Sequence, residues 1–234
     1  MSSRCTFTMM SVVAALAIAS TVVAQEKKPD AQQASLPPDI NPVTLSRLPP
    51  ISRNDLDADG QKVFDARTNT TPAPGPGHVT IYSPKVAEAY GALGRALGVP
   101  SGATFPLGNR VYQLVVLITA REIDQQYEWS AHEPAGLRAG LEQPVIDVVK
   151  YDRDVAGLAE KDATLIRFLR TLLREHKVGS ELWAAMVADF GRQRTIEIMA
   201  LMADYFTVGT MMNAVDQHLP PQRPPLMPAL TRGR

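Results

Sequence analysis

The stretch "QYEWSAHEPAGLRAGL", Gln126 to Leu141, sets a phenol, a carboxylate, an indole and an imidazole within six residues. Glu128 and His132 are four apart, so on a helix they share one face at hydrogen-bonding reach. A carboxylate beside an imidazole favours imidazolium and fixes its tautomer, which suits a general acid or base. Tyr127 offers a hydrogen-bond donor, and Trp129 a wall or a second donor. Glu122, near the end of the preceding helical pattern, can face the same cavity, and Arg110 at its start can clamp an anion. The competing use of a Glu/His pair at this spacing is a structural or solvated contact, which is the commoner one. A metal centre needs more ligands than this pair provides. The other imidazoles, His78, His176 and His218, lie in three separate regions, so no metal is expected.

The elements that must position these residues read as helices. Ser83-Pro84 is an N-cap and first-position pair, and Val86, Tyr90, Leu93 and Leu97 then recur at helical spacing. "LGNRVYQLVVLITARE" is apolar nearly all round, which predicts a buried central helix just before the polar cluster. "DATLIRFLRTLLREHK" puts Leu165, Phe168, Leu169 and Leu172 on one face. Ser180 starts "SELWAAMVADFG", which Gly191 closes. "RQRTIEIMALMADYFTVGTMMNAVDQH" is Met-rich and apolar, but Glu197 and Asp204 interrupt it, predicting a core helix rather than a membrane span. No period-two alternation is long enough for a strand. Pro134 cannot donate to the carbonyl of Ser130, so a kink or restart is expected there, with His132 just before it. "RVYQLVVL" from Arg110 echoes "RTIEIMAL" from Arg194, which would give two long helices equivalent places in a pseudo-symmetric bundle.

The rest of the chain sets organisation and address. Arg4 and the apolar run "MMSVVAALAIASTVVA", ending in Val22-Val23-Ala24, predict a signal peptide over residues 1–24 and export to the periplasm or beyond. No stable membrane insertion is expected after cleavage. Cys5 is the only cysteine, and cleavage removes it, leaving a mature chain without thiols. Residues 25–50 read as a Pro-rich arm, 51–219 as one helical domain, and 220–234 as a Pro-rich tail. The Pro- and Gly-dense stretch from Thr68 to Ser83 either wraps the surface or borders a site. With 24 basic and 24 acidic residues and no basic stripe, the chain lacks the footprint of a nucleic-acid binder.

"YEWSAHEPAGLRAGL" resembles the signature of the carboxymuconolactone decarboxylase family, which shares the alkyl hydroperoxidase D-like all-helical fold. The matching residues are Tyr127-Glu128-Trp129, His132 and Ala139-Gly140-Leu141. The similarity runs from about Leu45 to Pro228, through "RVYQLVVLITARE" and "ELWAAMVADFGRQRTIEIMALMADYF". The resemblance implies an all-α bundle, a homo-oligomer, no organic cofactor or metal, and a small carboxylate or lactone as substrate. In the peroxidase branch a Cys-x-x-Cys precedes the matching His; those positions are Gln125 and Glu128 here, and the relay Glu falls at Gln113. Thiol chemistry is therefore not expected. What remains is decarboxylation or related acid–base chemistry, with His132 as acid/base, Glu128 as its orienter and Tyr127 as donor. Glu122, Arg110, Trp129 and Gln113 are the candidate substrate contacts. The alternatives are a member that binds a ligand without turnover, and a thiol-independent remnant of a peroxidase.

Overall fold

Ten consecutive residues, Tyr112 to Arg121, are buried in the helix Gly108–Glu122, around which the other helices gather. Leu114, Val115, Val116, Leu117 and Ile118 are fully inaccessible. Each such aliphatic side chain contributes roughly 1.5–3 kcal/mol relative to exposure, so a helix apolar on every side is stable only in the middle. The computed structural model describes residues 36–66, 73–98 and 104–230. Within these, a one-turn 3-10 segment (Arg53–Asp55) leads to α1 (Ala58–Asp65), α2 (Pro76–Ile81), α3 (Pro84–Leu97), the central α4 (Gly108–Glu122) and α5 (Gln126–Arg138). α6 (Gln143–Lys150), α7 (Glu160–Glu175) and α8 (Ser180–Ala214) complete the order. No strand occurs among the described residues, where Asn41 and Ser46 form an isolated antiparallel bridge. The all-α expectation holds.

α4 packs against α5, α6, α7 and α8. Leu165, Phe168 and Leu169 of α7 enter the same core, as the sequence periodicity predicts. α8 is interrupted where the sequence places its stop: Gly191 takes φ 76°, a conformation an L side chain resists, and a second helical stretch follows at once. α5 continues through Pro134 from Gln126 to Arg138 without a restart, leaving the Ser130 carbonyl without its helical donor.

The expected arm boundary at residue 50 also shifts. Ile40, Thr44, Leu45 and Ser46 are buried. Arg47 N–H donates to the Val215 carbonyl at 2.8 Å and His218 N–H to the Leu45 carbonyl at 2.7 Å. Residues 40–47 are thus stitched to the end of α8, because a short apolar segment gains burial and backbone partners there. The Pro-rich tail is similarly tied to α4 and α5: Leu226 N–H donates to Ser130 Oγ at 3.2 Å, and Arg121 donates to the Pro228 carbonyl at 2.7 Å. The signal-peptide reading of residues 1–24 lies outside the described residues, as do most of the arm before Leu36 and the last four residues of the tail. Among the described residues no helix is long and apolar enough to cross a membrane.

Candidate functional site

α5 is fixed at its start by Gln125. That side chain accepts from Tyr127 N–H at 2.7 Å and donates to Asn213 Oδ1 at 2.8 Å and to the Gly209 carbonyl at 3.3 Å. The first turn of α5 is thereby tied to the end of α8, which sets the rotation of the helix. One face then points Glu128 and His132 inward together. His132 Nε2 lies 3.3 Å from Glu128 Oε2, with side-chain exposures of 16% and 6%. On the other side of the ring, His132 Nδ1 is 2.8 Å from Gln113 Oε1, and Gln113 Nε2 donates to Asn109 Oδ1 at 3.0 Å. With Gln113 oriented so, its oxygen accepts and Nδ1 carries a proton. Nε2 is then the nitrogen that faces Glu128.

Three tyrosines enclose this pair. The Tyr205 ring meets the His132 ring edge-on at 5.2 Å between centroids, and the Tyr112 ring stands 6.0 Å from it. The hydroxyls of Tyr112 and Tyr205 are hydrogen-bonded to each other. Burial pushes the Tyr112 phenol up to about 12 and Tyr205 well above its ordinary value. Tyr90 of α3, raised likewise by burial, donates to the backbone carbonyl of Asp204 in α8. All three therefore remain neutral O–H groups at neutral pH. Asp204 is 2% exposed, and burial raises its carboxyl to about 6, with Tyr90 opposing and the Glu128 charge adding to the rise. Glu128 Oε1 and Asp204 Oδ1, both inaccessible, have no hydrogen-bond partner.

The other sequence candidates are engaged elsewhere. Tyr127 donates to the Pro74 carbonyl at 2.7 Å, and the Arg223 guanidinium sits 4.5 Å over its ring. Gly75 makes room for that hydroxyl: with φ 121°, a Cβ there would lie 2.5 Å from Tyr127 Oη. Tyr127 packs with Val79 and Met212, outside the core cluster that holds Tyr112 and Tyr205. Trp129 is fully buried and donates to Glu133 Oε2 at 2.6 Å. Arg110 is held by Asp162 at 2.7 Å and Glu142 at 2.5 Å, so its guanidinium is already neutralised. Glu122 is bound to Arg174 at 2.5 Å and lies 3.9 Å from Arg170. Of the proposed contacts only Gln113 joins His132 and Glu128. Tyr90, Tyr112, Tyr205 and Asp204 were not singled out as site residues from the sequence. The one signal for them was an acid within the Met-rich run "IMALMADYF", where a charge is costly unless used.

Among the described residues no group of three or more His, Cys, Asp or Glu could hold a metal ion. A cavity of about 390 Å³ lies between α1, α2 and α3, lined by Lys62, Thr80, Glu88 and Arg95 among others; none of the His132 group lines it.

No protein-family model matches the chain, and no curated protein matches it. Solved structures do match in shape. An uncharacterised peroxidase-related protein from Ralstonia eutropha JMP134, described as an alkylhydroperoxidase AhpD core, superposes with TM-score 0.59 at 17% identity, over 76% of this chain and 93% of that one. The apo debrominase Bmp8 superposes with TM-score 0.54 at 14% identity, over 74% of this chain and 91% of the other. Bmp8 in complex with 2,3,4-tribromopyrrole covers 62% of this chain and 77% of its own, with TM-score 0.50 at 13% identity.

Proposed function

We propose that the chain is a cofactor-free acid–base enzyme of the alkyl hydroperoxidase D-like all-α fold, acting on a small carboxylated or lactone ring compound. The observation that supports this reading is the His132 ring held at both nitrogens, by Gln113 at 2.8 Å and Glu128 at 3.3 Å, in a shell of neutral phenols. Gln113 fixes the tautomer. Glu128 can compensate an imidazolium, so His132 can deliver its Nε2 proton to a carbanionic carbon and be reprotonated from water. In a decarboxylation the C–CO2 bond breaks, its electron pair passes into the conjugated carbonyl, and His132 protonates the carbon left behind. Water-poor surroundings strengthen each of these interactions. Because Arg110 is committed to Asp162 and Glu142, it is not free to bind the substrate's carboxylate. The debrominase of this fold is in complex with a small planar ring compound, and the Tyr112–Tyr205 wall suits a ligand of that shape. Thiol redox chemistry is no part of the reading, since Gln125 and Glu128 stand where a cysteine pair would act. Export through residues 1–24 and assembly into a homo-oligomer belong to the same proposal.

The test is a turnover screen over lactones and unsaturated carboxylates comparing wild type with His132→Gln. A loss of about 100-fold or more is expected for a general acid/base. Equal turnover would remove His132 from the chemistry. A second reading, ligand binding without turnover, draws on the cavity between α1, α2 and α3. Ligands that saturate the protein unchanged, and are lost on Thr80→Trp but not on His132→Gln, would favour it.

A further inference from the structure

Asp204 sits in the Met-rich part of α8, next to Tyr205, whose ring edge touches His132. Its carboxyl is buried with Oδ1 unbonded, and Glu128, across the same aromatic shell on α5, is buried with Oε1 unbonded. Two carboxyls in one desolvated space do not both stay ionised cheaply. Their surroundings differ in a way that decides which keeps its proton. Glu128 has the His132 imidazole at 3.3 Å as a counter-ion. Among the groups that act on Asp204, Tyr90 from α3 is a neutral phenol and Glu128 from α5 is an acid. Tyr112 from α4 and Tyr205 beside it in α8 are phenols that feel the Asp204 charge in turn. None of these is a cation.

We infer that Asp204 is a positioning residue of the His132 site: by holding or releasing one proton, it decides whether the Glu128–His132 pair works beside a neutral or an anionic neighbour. The neutral form adds no charge beside the Glu128–His132 pair. The ionised form adds a negative charge, which opposes release of a proton from the pair to a substrate. Asp204 touches no reacting atom in this scheme; it acts through Glu128. Its effect on turnover rests on the proton-transfer reading above, whereas its titration does not.

The experiment follows the Asp204 carboxyl carbon by NMR against pH in the purified protein and in two variants. The midpoint is expected near pH 6 in wild type. Glu128→Gln should lower it by about one pH unit by removing the neighbouring charge, and Tyr90→Phe should raise it by removing a donor to the charged form. A midpoint in the ordinary carboxylate range, or one that ignores Glu128→Gln, overturns the inference. The turnover readout is Asp204→Asn, whose amide mimics the neutral carboxyl. Its rate at pH 5 is expected within about twofold of wild type, and its pH profile should lack the wild-type inflection near pH 6. An unchanged profile overturns the role even where the titration behaves. If Asp204→Asn does not fold, the Tyr90→Phe and Glu128→Gln titrations decide the matter. If His132→Gln keeps full turnover, the enzyme reading falls alone and the carboxyl coupling is judged by its titration.

Discussion

Replacing Asp204 with Asn should make the protein more stable at neutral pH and change it little near pH 4. The carboxyl is 2% exposed, and burial lifts it from an ordinary 3.8 to about 6. A difference of about two pH units corresponds to roughly 3 kcal/mol between the protonation states. The direction follows from proton counting. Between 3.8 and 6 the folded chain holds a proton that the unfolded chain has lost, so stability falls as pH rises through that window. The contribution is complete below the unfolded value and gone by about pH 6, after which it stays level. An asparagine cannot ionise and escapes this loss. The stability gap between Asp204→Asn and wild type should therefore open by about 3 kcal/mol from pH 4 to pH 7. For a chain of this size that is a difference in Tm of roughly 6–12 °C. Urea unfolding by circular dichroism at several pH values across the window measures the gap directly. A gap that is the same at both ends would refute the argument, because a packing change has no pH dependence. So would a gap of opposite sign, which would mean that the ionised carboxylate has a stabilising partner in the fold.

Two other expectations follow from particular residues. Lys150 donates to both oxygens of Glu133, at 2.9 and 3.0 Å, while Trp129 binds the same carboxylate; Lys150→Met leaves that buried charge alone and should cost about 3–5 kcal/mol in thermal unfolding, with Glu133→Gln in the same chain restoring most of it. A loss under about 1 kcal/mol would show that the pair is hydrated. On the proposed export, the mature protein should begin at Gln25 by mass spectrometry, and an intact Met1 form confined to membranes would defeat the signal-peptide expectation.

What the sequence revealed, and what it hid, divides along the range of the interaction. α4 was legible because burial on all sides leaves an unmistakable local mark, ten buried residues in a row. The Glu128–His132 pair was legible because four residues advance a helix by about 40° net, so both face the same neighbour. The same arithmetic turns Tyr127, five residues from His132, about 140° away from it, and its hydroxyl goes to Pro74. Arg110 and Glu122 are ion-paired with residues distant in the sequence. Their partners, Asp162 and Arg174, are each 52 residues away in the chain and arrive only when α7 packs on α4. No local spacing announces such a pair. Pro134 was read as a kink or restart because its missing N–H costs a hydrogen bond; α5 runs on to Arg138, and the bonds of Gln125 to α8 and of the tail to Gln126 and Ser130 anchor the part before it. The echo between α4 and α8 likewise does not repeat the site: Gln113 binds His132, whereas Glu197 binds Arg194 on the surface.

At the two positions where the resemblance would put a cysteine pair, Gln125 and Glu128 favour the proposed acid–base chemistry over thiol chemistry. Gln125 caps α5 and bonds to Asn213 and Gly209, three contacts a thiol could not make, so its amide helps to set the rotation that brings His132 inward. Glu128 puts a fixed acceptor against Nε2 and its free oxygen into the shell shared with Asp204. A thiol there would give a polarizable nucleophile; a carboxylate gives a charge that cannot move and a proton that can. Each change alone would weaken thiol chemistry. Together with a buried aspartate and three phenols kept neutral by burial, they surround the Glu128–His132 pair with groups suited to the proposed proton transfer.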